Sequence, residues 1–219
     1  MATFVVTGAN RGIGLELVTQ LKARGDDVIA VCRTSSTELD KLGVRVEQGI
    51  DVSAAADVAE LAKRLAGLKI DVLINNAGIG VFDGFANLQF DAALRQFEVN
   101  ALAPLRLSAT LAPQIPAGGK AIFTSRMGSM ADNGSGGYYG YRMSKAAVNA
   151  AGVSLARDLR DKQIAVTLIH PGMVATDMTG RNGIPAEESV RGILARIDAL
   201  QLETSGLFVH AQTGEPLPW

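Results

Sequence analysis

The sequence has few of the residues that would indicate several common classes of protein. Its 219 residues include one cysteine, Cys32, which excludes an internal disulfide framework and fits a reducing compartment. Aromatic residues make up 5% of the chain, and 21 Lys and Arg residues are scattered and balanced by 22 Asp and Glu residues. There is thus no basic stripe interleaved with aromatics, the pattern expected of a nucleic-acid interface.

Long apolar runs and targeting signals are lacking as well. No stretch approaches the length of a membrane span, and the N-terminus runs into Thr3–Thr7 without a basic region or a cleavage site. The hydrophobic content is 47% and the formal net charge is −1, enough apolar residues for one well-buried domain over residues 1–219. We expect a cytoplasmic protein that acts on a small molecule and binds neither nucleic acid nor membrane.

The chain alternates short β-branched runs with longer Ala/Leu-rich segments, which is typical of βαβ units around a parallel sheet. The predicted strands are Thr3–Thr7, Asp27–Cys32, Val44–Ile50, Asp71–Ile74, Lys120–Thr124, Ala165–Ile169 and Leu207–His210. The main predicted helices are Gly12–Arg24, Ala54–Ala66, Leu88–Leu111, Tyr141–Arg160 and Ala186–Leu200. Together they predict an α/β, single-domain, Rossmann-type fold: a doubly wound parallel sheet of about seven strands with helices on both faces.

A glycine-rich segment separates the first strand from the first helix. This glycine loop, Thr7 to Gly14, contains Gly8, Gly12 and Gly14 in a G-x-x-x-G-x-G spacing. Glycines let a pyrophosphate approach backbone N–H groups and the helix N-terminus. The alternative is a tight β–α turn without a ligand, but the strand–loop–helix context favours a dinucleotide site.

The residues after the second strand bear on which dinucleotide is bound. Arg33 follows Cys32, whereas Asp26 and Asp27 come too early to bind the adenosine ribose. A cation at this position would accommodate the 2′-phosphate that distinguishes NADP(H) from NAD(H). Arg11 lies in the glycine loop, where it could approach the same phosphate as Arg33. Two converging arginines favour NADP(H), with NAD(H) and two ordinary surface arginines as the alternatives.

A tyrosine and a lysine are spaced four residues apart in the fourth of the main helices. Helical spacing puts Tyr141 and Lys145 on one face, so the ammonium can favour the ionised phenol. Tyr141 is therefore a candidate proton donor near neutral pH. Combined with the glycine loop, the pair predicts carbonyl reduction by a dinucleotide.

These motifs together resemble the classical short-chain dehydrogenase/reductase (SDR) family over nearly the whole chain. The motifs that carry the resemblance are the glycine loop, Asp51-Val52, Asn75-Asn76-Ala77-Gly78, Tyr141 with Lys145, and His170 to Asp177. Within the family, Tyr141 to Lys145 and the closing Leu217-Pro218-Trp219 are similar to the C-factor/sniffer-like carbonyl reductase branch.

The resemblance implies four catalytic residues. Tyr141 would donate the proton, and Lys145 would lower the pKa of the phenol and hydrogen-bond the nicotinamide ribose. Ser125 would bond the developing alkoxide and Asn100 would hold a water that links Lys145 to solvent. The implied cofactor contacts are Gly8, Asn10, Arg11, Gly12, Ile13, Gly14, Arg33, Asp51, Val52, Asn76, Ala77, Gly78, Tyr141, Lys145, Pro171, Gly172, Val174 and Thr176.

The position of the serine departs from the family pattern. The family places it thirteen residues before the tyrosine, where this chain has Gly128, while Ser125 precedes Tyr141 by sixteen. A three-residue expansion of the segment 132–137 would reconcile the count. Ser125 is preferred to Ser129 because it ends a parallel strand, where open α/β sheets bind ligands.

The remaining features indicate the expected substrate and whether a metal is bound. A short lid near residues 176–190 and few aromatic side chains favour small or exposed aldehydes and ketones, with Phe82, Phe85, Tyr138 and Tyr139 as candidate pocket residues. Neither histidine has a cysteine or carboxylate at ligand spacing, so we expect no metal. His170 lies where a strand enters the cofactor segment, which favours a structural role or one that supports a neighbouring site residue, with a proton carrier as the alternative.

Two functions remain open from the sequence. The first is an NADPH-dependent carbonyl reductase and the second is a low-turnover NADP(H)-binding regulatory or signalling protein. A homodimer is expected, with a monomer as the alternative. Its candidate interface is a face of small residues, with packing in the core as the alternative for this face: Ala146, Ala147, Ala150, Ala151 and Gly152.

Overall fold

One parallel sheet organises the molecule in the computed structural model, which describes residues 1–124 and 127–219. Within these residues the sheet has seven strands in the order β3-β2-β1-β4-β5-β6-β7, and every pair of neighbours is parallel. The strands are β1 Thr3–Thr7, β2 Asp27–Cys32, β3 Arg45–Gln48, β4 Val72–Asn75, β5 Lys120–Thr124, β6 Ala165–His170 and β7 Phe208–His210.

Helices cover both faces of the sheet. They are α1 Gly12–Ala23, α2 Thr37–Lys41, α3 Ala55–Arg64, α4 Phe90–Phe97, α5 Ala103–Leu111, α6 Tyr139–Asp158 and α7 Ala186–Ala199. Apolar residues of α3, α5 and α6 pack on one face, while those of α1 and α7 pack on the other. The central strands are buried on both sides, which is why they are nearly continuously hydrophobic. The predicted doubly wound α/β class is confirmed.

The predicted helix Leu88–Leu111 is wrong as one continuous helix. It divides into α4, a π-helical segment Glu98–Leu102 and α5. Pro104 lacks the N–H that would bond the carbonyl four residues earlier, and the Ala103 N–H instead bonds Glu98 five residues back. Asn100 lies within this π-helical segment and is buried.

The chain adds strands first on one side of β1 and then on the other, so the order of strands switches between β1 and β4. Strand β1 is followed by β2 on one side of the sheet, and the chain then crosses to β4 on the other side of β1. Open α/β sheets bind ligands in the crevice at the carboxyl ends of such a pair. The side chain of Thr7 joins the two ends, because its Oγ1 accepts the N–H groups of Asn76 and Ala77, each at 3.1 Å.

None of the helices in residues 1–124 and 127–219 has the length and apolar character that crossing a bilayer requires.

Candidate active site

The glycine loop forms a compact turn at the end of β1. Gly8 and Gly12 have positive φ angles of +65° and +54°. A Cβ on Gly14 would clash with the Gly8 carbonyl oxygen, and one on Gly8 would lie 2.9 Å from Ala77 Cα. Helix α1 begins at Gly12 with no side-chain cap and no acidic residue in its first turn, so its N-terminal N–H groups suit an anion.

The segment after β2 lies beside this loop. Asn10 donates its Nδ2 hydrogen to the Thr34 carbonyl at 2.9 Å, which brings the loop next to Arg33. Arg11 and Arg33 are both exposed, and Arg11 Nη1 is 4.0 Å from Asp177 Oδ2. The two arginines predicted to face a 2′-phosphate therefore lie on neighbouring segments and are open to solvent.

Asp51 is held in a fixed orientation after β3. Partial burial would raise its pKa, but hydrogen bonds from Ser53 and the charges of Arg95 and Arg33 lower it below the ordinary value. Ser53 donates its N–H and its hydroxyl to Asp51 Oδ1 at 2.9 and 2.6 Å, and Arg95 Nη2 lies 3.2 Å from Oδ2. Val52 lines a small crevice with Thr7, Asn75, Ala77, Pro104 and Leu107.

The segment after β6 lies opposite the glycine loop. Its start is fixed by Ser189, whose hydroxyl donates to the Pro171 carbonyl at 2.7 Å, and by the positive φ of +90° at Gly172. Val174 pairs with Ile184, and Thr176 Cγ2 would contact a Cβ on Gly12 at 3.4 Å. The predicted nicotinamide segment and the predicted pyrophosphate loop thus lie next to each other.

Tyr141 and Lys145 lie one turn apart on α6, with Lys145 Nζ 5.7 Å from the centre of the phenol ring. Burial raises the pKa of Tyr141 to about 12 and lowers that of Lys145 to about 8. Lys145 lies beside the phenol, as its helical spacing predicted. The pKa of the phenol is nevertheless raised and not lowered as expected, because burial removes water from around the phenolate.

Asn100 is buried at the centre of the site. Its Nδ2 donates to the Ile79 carbonyl at 2.9 Å and to Ser144 Oγ at 3.0 Å, and its Oδ1 accepts the Ile79 N–H at 2.9 Å. Ser144 in turn donates to the Tyr141 carbonyl at 2.8 Å. Asn100 therefore joins the loop after β4 to the first turns of α6.

Gly78 is the point where these groups meet. A Cβ at this residue would lie 3.2 Å from Asn100 Oδ1 and 3.8 Å from Lys145 Nζ. The absence of a side chain lets the loop after β4 approach both groups. Asn100, Lys145 and Tyr141 are thus brought together beside the carboxyl end of β4.

The predicted serine, Ser125, lies outside the residues that the structure describes. The alternative, Ser129, is buried, and its Oγ accepts the Asp132 N–H at 3.1 Å. Gly128 packs directly on the backbone of Lys145, where a Cβ would lie 2.7 Å from the Ala146 nitrogen. The glycine three residues after Ser125 therefore holds the β5–α6 connection against the helix of the tyrosine and lysine.

His170 lies at the end of β6, away from these groups. Its buried ring meets His210 edge to face at 5.0 Å, and its Nδ1 accepts the Gly172 N–H at 3.3 Å. These contacts support the structural role predicted for it. Among the described residues, no three His, Cys, Asp or Glu side chains cluster as metal ligands would.

Three residues of the site had no individual role in the predictions from the sequence, although Thr7 was counted in the glycine loop and Met178 in the lid segment. Ser144 links Asn100 to Tyr141, Thr7 links the ends of β1 and β4, and Met178 reaches the loop after β4, with Sδ 3.4 Å from a Cβ built on Gly80. Ser144 lies three residues after Tyr141 and so shares its helical face, which was the available signal. Thr7 and Met178 are recognisable only once the segments are folded together.

The chain belongs to the short chain dehydrogenase family, whose family model matches residues 2–185. It is 42% identical over 227 aligned positions to a 1-hydroxy-2-glutathionyl-2-methyl-3-butene dehydrogenase from Rhodococcus sp. (strain AD45), with 100% of both chains covered. It is also 46% identical over 155 positions to the C-signal protein of Myxococcus xanthus, and this alignment covers 68% of this chain and 93% of that protein.

Solved structures are similar over the whole chain. An NADPH-bound carbonyl reductase from chicken fatty liver has a TM-score of 0.88 at 29% identity and covers 100% of this chain and 99% of its own. The carbonyl reductase Sniffer of D. melanogaster has a TM-score of 0.90 at 28% identity, with both chains covered completely. The predicted family and the likeness to its carbonyl reductase branch are confirmed.

Proposed function

We propose that this protein is an NADP(H)-dependent oxidoreductase that reduces aldehyde and ketone carbonyls to alcohols, with Tyr141 as the proton donor. The observation that carries the proposal is the meeting of Tyr141, Lys145 and Asn100 beside Gly78, at the sheet edge that also bears the glycine loop. The NADPH-bound carbonyl reductase from chicken supports both the reaction and the cofactor.

The residues at this edge fit a dinucleotide. Side chains at Gly8 and Gly14 would fill the turn, the N-terminus of α1 is uncapped, and Arg11 and Arg33 are free to approach a 2′-phosphate from solvent. We assign cofactor contacts to the full set predicted from the sequence, from Gly8 to Thr176. When bound, the dihydronicotinamide supplies the hydride for the carbonyl carbon.

The protein's own contribution is the proton and its stabilisation. Burial raises the pKa of Tyr141 to about 12, so the phenol holds a proton that it can give to the carbonyl oxygen at neutral pH. The raised pKa also makes the phenol a weaker acid, so the donation depends on Lys145. Donation leaves a phenolate, and the cationic Lys145 one turn away stabilises it. Asn100 fixes the loop after β4 against α6. We assign the hydrogen bond to the substrate oxygen to Ser125, because it directly follows β5 in the chain and open α/β sheets bind ligands at the carboxyl ends of their strands.

The proposal is tested by mixing purified protein with NADPH or NADH and a panel of aldehydes, ketones and diketones, and recording the loss of cofactor absorbance. We expect carbonyl-dependent consumption with NADPH preferred, and a shift of preference toward NADH in the double variant Arg11→Ala/Arg33→Ala. Tyr139→Phe, two residues from Tyr141, is the matched control for Tyr141→Phe. Equal rates in these two variants would overturn the role of Tyr141.

A second function is favoured by the likeness to the C-signal protein. A low-turnover NADP(H)-binding regulatory or signalling protein would keep the cofactor residues and have no need of a proton donor beside a lysine. Tyr141→Phe separates the two: the enzyme loses turnover and keeps NADPH binding, whereas a regulatory protein keeps its biological activity in this variant.

We also propose that the protein is a cytoplasmic homodimer whose segment 176–190 acts as a short lid over the substrate. Exposed apolar side chains on α4, Phe90, Leu94 and Phe97, support an association of subunits. Gly152 does not belong to such a face, since a Cβ there would press on Leu168 of β6 at 3.0 Å, whereas Ala150 is exposed.

A further inference from the structure

The ring of Phe82 contacts the phenol of Tyr141 on one side and the ring of Tyr138 on another. The Phe82 ring meets Tyr141 edge to face, with centroids 5.5 Å apart and planes at 70°, and meets Tyr138 at 5.1 Å and 68°. Phe82 is 44% exposed and Tyr138 is 40% exposed. This aromatic corner (Phe82 and Tyr138) is thus an open apolar surface beside the proposed proton donor.

The backbone at Tyr138 is held in a conformation that a tyrosine rarely adopts. Its φ of +56° and ψ of +41° lie in the left-handed region, which is unfavourable for a residue with a Cβ. The conformation is fixed from both sides: the Tyr138 N–H bonds the Asp83 carbonyl at 2.7 Å, and its carbonyl accepts the Arg142 N–H at 2.8 Å. Strain maintained in this way is characteristic of functional sites.

The proposed lid reaches the same corner. A Cβ on Gly80 would lie 2.8 Å from Phe82 Cζ and 3.4 Å from Met178 Sδ. The missing side chain at Gly80 therefore leaves room for the phenylalanine ring and the methionine together. Met178 is 41% exposed, and its flexible thioether can adapt to a ligand that lies against the rings.

We propose that the aromatic corner, with Met178 above it, is a subsite for a flat aryl substituent on the carbonyl carbon. The inference rests on the proposed carbonyl reductase function and narrows its substrate class. An aryl ring against Phe82 and Tyr138 gains both apolar burial and edge-to-face contacts, whereas a saturated ring of the same size gains burial alone. The carbonyl group next to the ring then lies near the Tyr141 hydroxyl.

The kinetic test compares benzaldehyde with cyclohexanecarbaldehyde in the presence of NADPH. We expect Phe82→Leu, and Tyr138→Asn, which tolerates the left-handed backbone, to lower the benzaldehyde/cyclohexanecarbaldehyde ratio of kcat/KM about fivefold. Comparing this ratio between each variant and the wild-type protein cancels the intrinsic reactivities of the two aldehydes. Phe85→Leu is the matched control. Phe85 was predicted as a pocket residue, but it is 81% exposed and makes neither of the ring contacts of the aromatic corner, so its variant should leave the ratio unchanged. An equal fall for both aldehydes in Phe82→Leu would overturn the subsite and leave the reductase standing.

A binding test separates this inference from the proposed reaction. Benzamide and cyclohexanecarboxamide cannot be reduced under these conditions, and their affinities for the NADPH-loaded protein can be measured by calorimetry. Tighter binding of benzamide, lost in Phe82→Leu and kept in Phe85→Leu, supports the subsite even if no aldehyde is turned over, in which case the proposed function alone fails. Equal affinities of the two amides for the wild-type protein would overturn the subsite.

Discussion

At the scale of single residues, burial sets the charge states of the tyrosine and the lysine. It favours the neutral form of each, so the phenol stays protonated well above neutral pH, while Lys145, with a pKa of about 8, keeps its charge over most of the physiological range. In the proposed reaction Tyr141 would therefore start as the neutral phenol, with the Lys145 ammonium beside it. Alcohol oxidation in the reverse direction requires the phenolate and is expected to need a higher pH.

The lowered pKa of Lys145 predicts a pH-dependent stability. Between pH 8 and 10.5 the unfolded chain binds more protons at this residue than the folded chain, so folding becomes more favourable as pH rises. Relative to Lys145→Met, the wild-type protein should gain on the order of 2 kcal/mol in unfolding free energy between pH 7.5 and 9.5. Urea unfolding of both proteins at the two pH values measures this difference, and parallel pH profiles would contradict the buried, destabilised ammonium.

Two buried asparagines provide a matched stability test. Asn100 bonds the backbone N–H and carbonyl of Ile79, whereas Asn149 on α6, also buried, has no hydrogen-bond partner for its side chain within the described residues. Asn100→Ala leaves the partly buried N–H and carbonyl of Ile79 without their partner and should cost about 2–3 kcal/mol. Asn149→Ala removes no hydrogen bond and should stay within about 1 kcal/mol of wild type. Chemical denaturation measures both, and equal losses would refute the contrast.

At the scale of elements, the segment before α6 depends on one arginine. Arg142 donates Nε to the Gly137 carbonyl at 3.1 Å and Nη2 to Ser135 Oγ at 2.9 Å. Because this segment leads into Tyr138, loosening it should disturb the substrate side of the site and leave the glycine loop intact.

We therefore predict that Arg142→Met raises the KM for a carbonyl substrate about fivefold, the equivalent of one net hydrogen bond, with the KM for NADPH unchanged. Arg157→Met, an exposed arginine on the same helix, is the control. Steady-state kinetics with each substrate varied in turn provides the measurement. A parallel rise in both KM values would indicate a general loss of structure.

Most elements could be predicted because the hydrophobic periodicity and the turn residues indicate the same boundaries along the chain. Strands β1, β2 and β5 have the predicted bounds, and the ends of the remaining strands differ by a few residues. The π-helical segment could not be predicted, since it results from Pro104 together with the bonds that Asn100 makes across the fold. Helix α2 was missed because it has only five residues, although Ser36 caps it by accepting the Leu39 N–H.

The site was predictable where a motif is local in the chain. Tyr141 with Lys145 and the glycine loop follow from spacing alone, and Asn100 came from the family resemblance. The contact of Thr176 with the glycine loop and the reach of Met178 toward Gly80 depend on how distant segments fold together. The raised pKa of Tyr141 was not foreseen because desolvation depends on burial, which the sequence pattern does not measure.

At the scale of the whole molecule, the exposed apolar stripe of α4 predicts self-association. Phe90 and Leu94 lie one turn apart and are 78% and 62% exposed, a costly arrangement for an isolated subunit. Light scattering during size-exclusion chromatography should give the mass of a dimer, and Leu94→Glu should shift it toward 22.9 kDa. A monomer mass for the wild-type protein would contradict the proposed homodimer and would leave the proposed reaction unaffected.

The most direct measurement of the central claim is the transfer of isotope from cofactor to product. NADPH deuterated at C4 of the nicotinamide ring, on each face in turn, is incubated with the protein and an aldehyde, and the alcohol is analysed by mass spectrometry. We expect one deuterium on the carbinol carbon when one of the two faces is labelled, and loss of this product in Tyr141→Phe while NADPH still binds. An unlabelled alcohol from both deuterated forms of NADPH, or an equal yield of labelled alcohol from Tyr141→Phe and the wild-type protein, would contradict the proposed reaction.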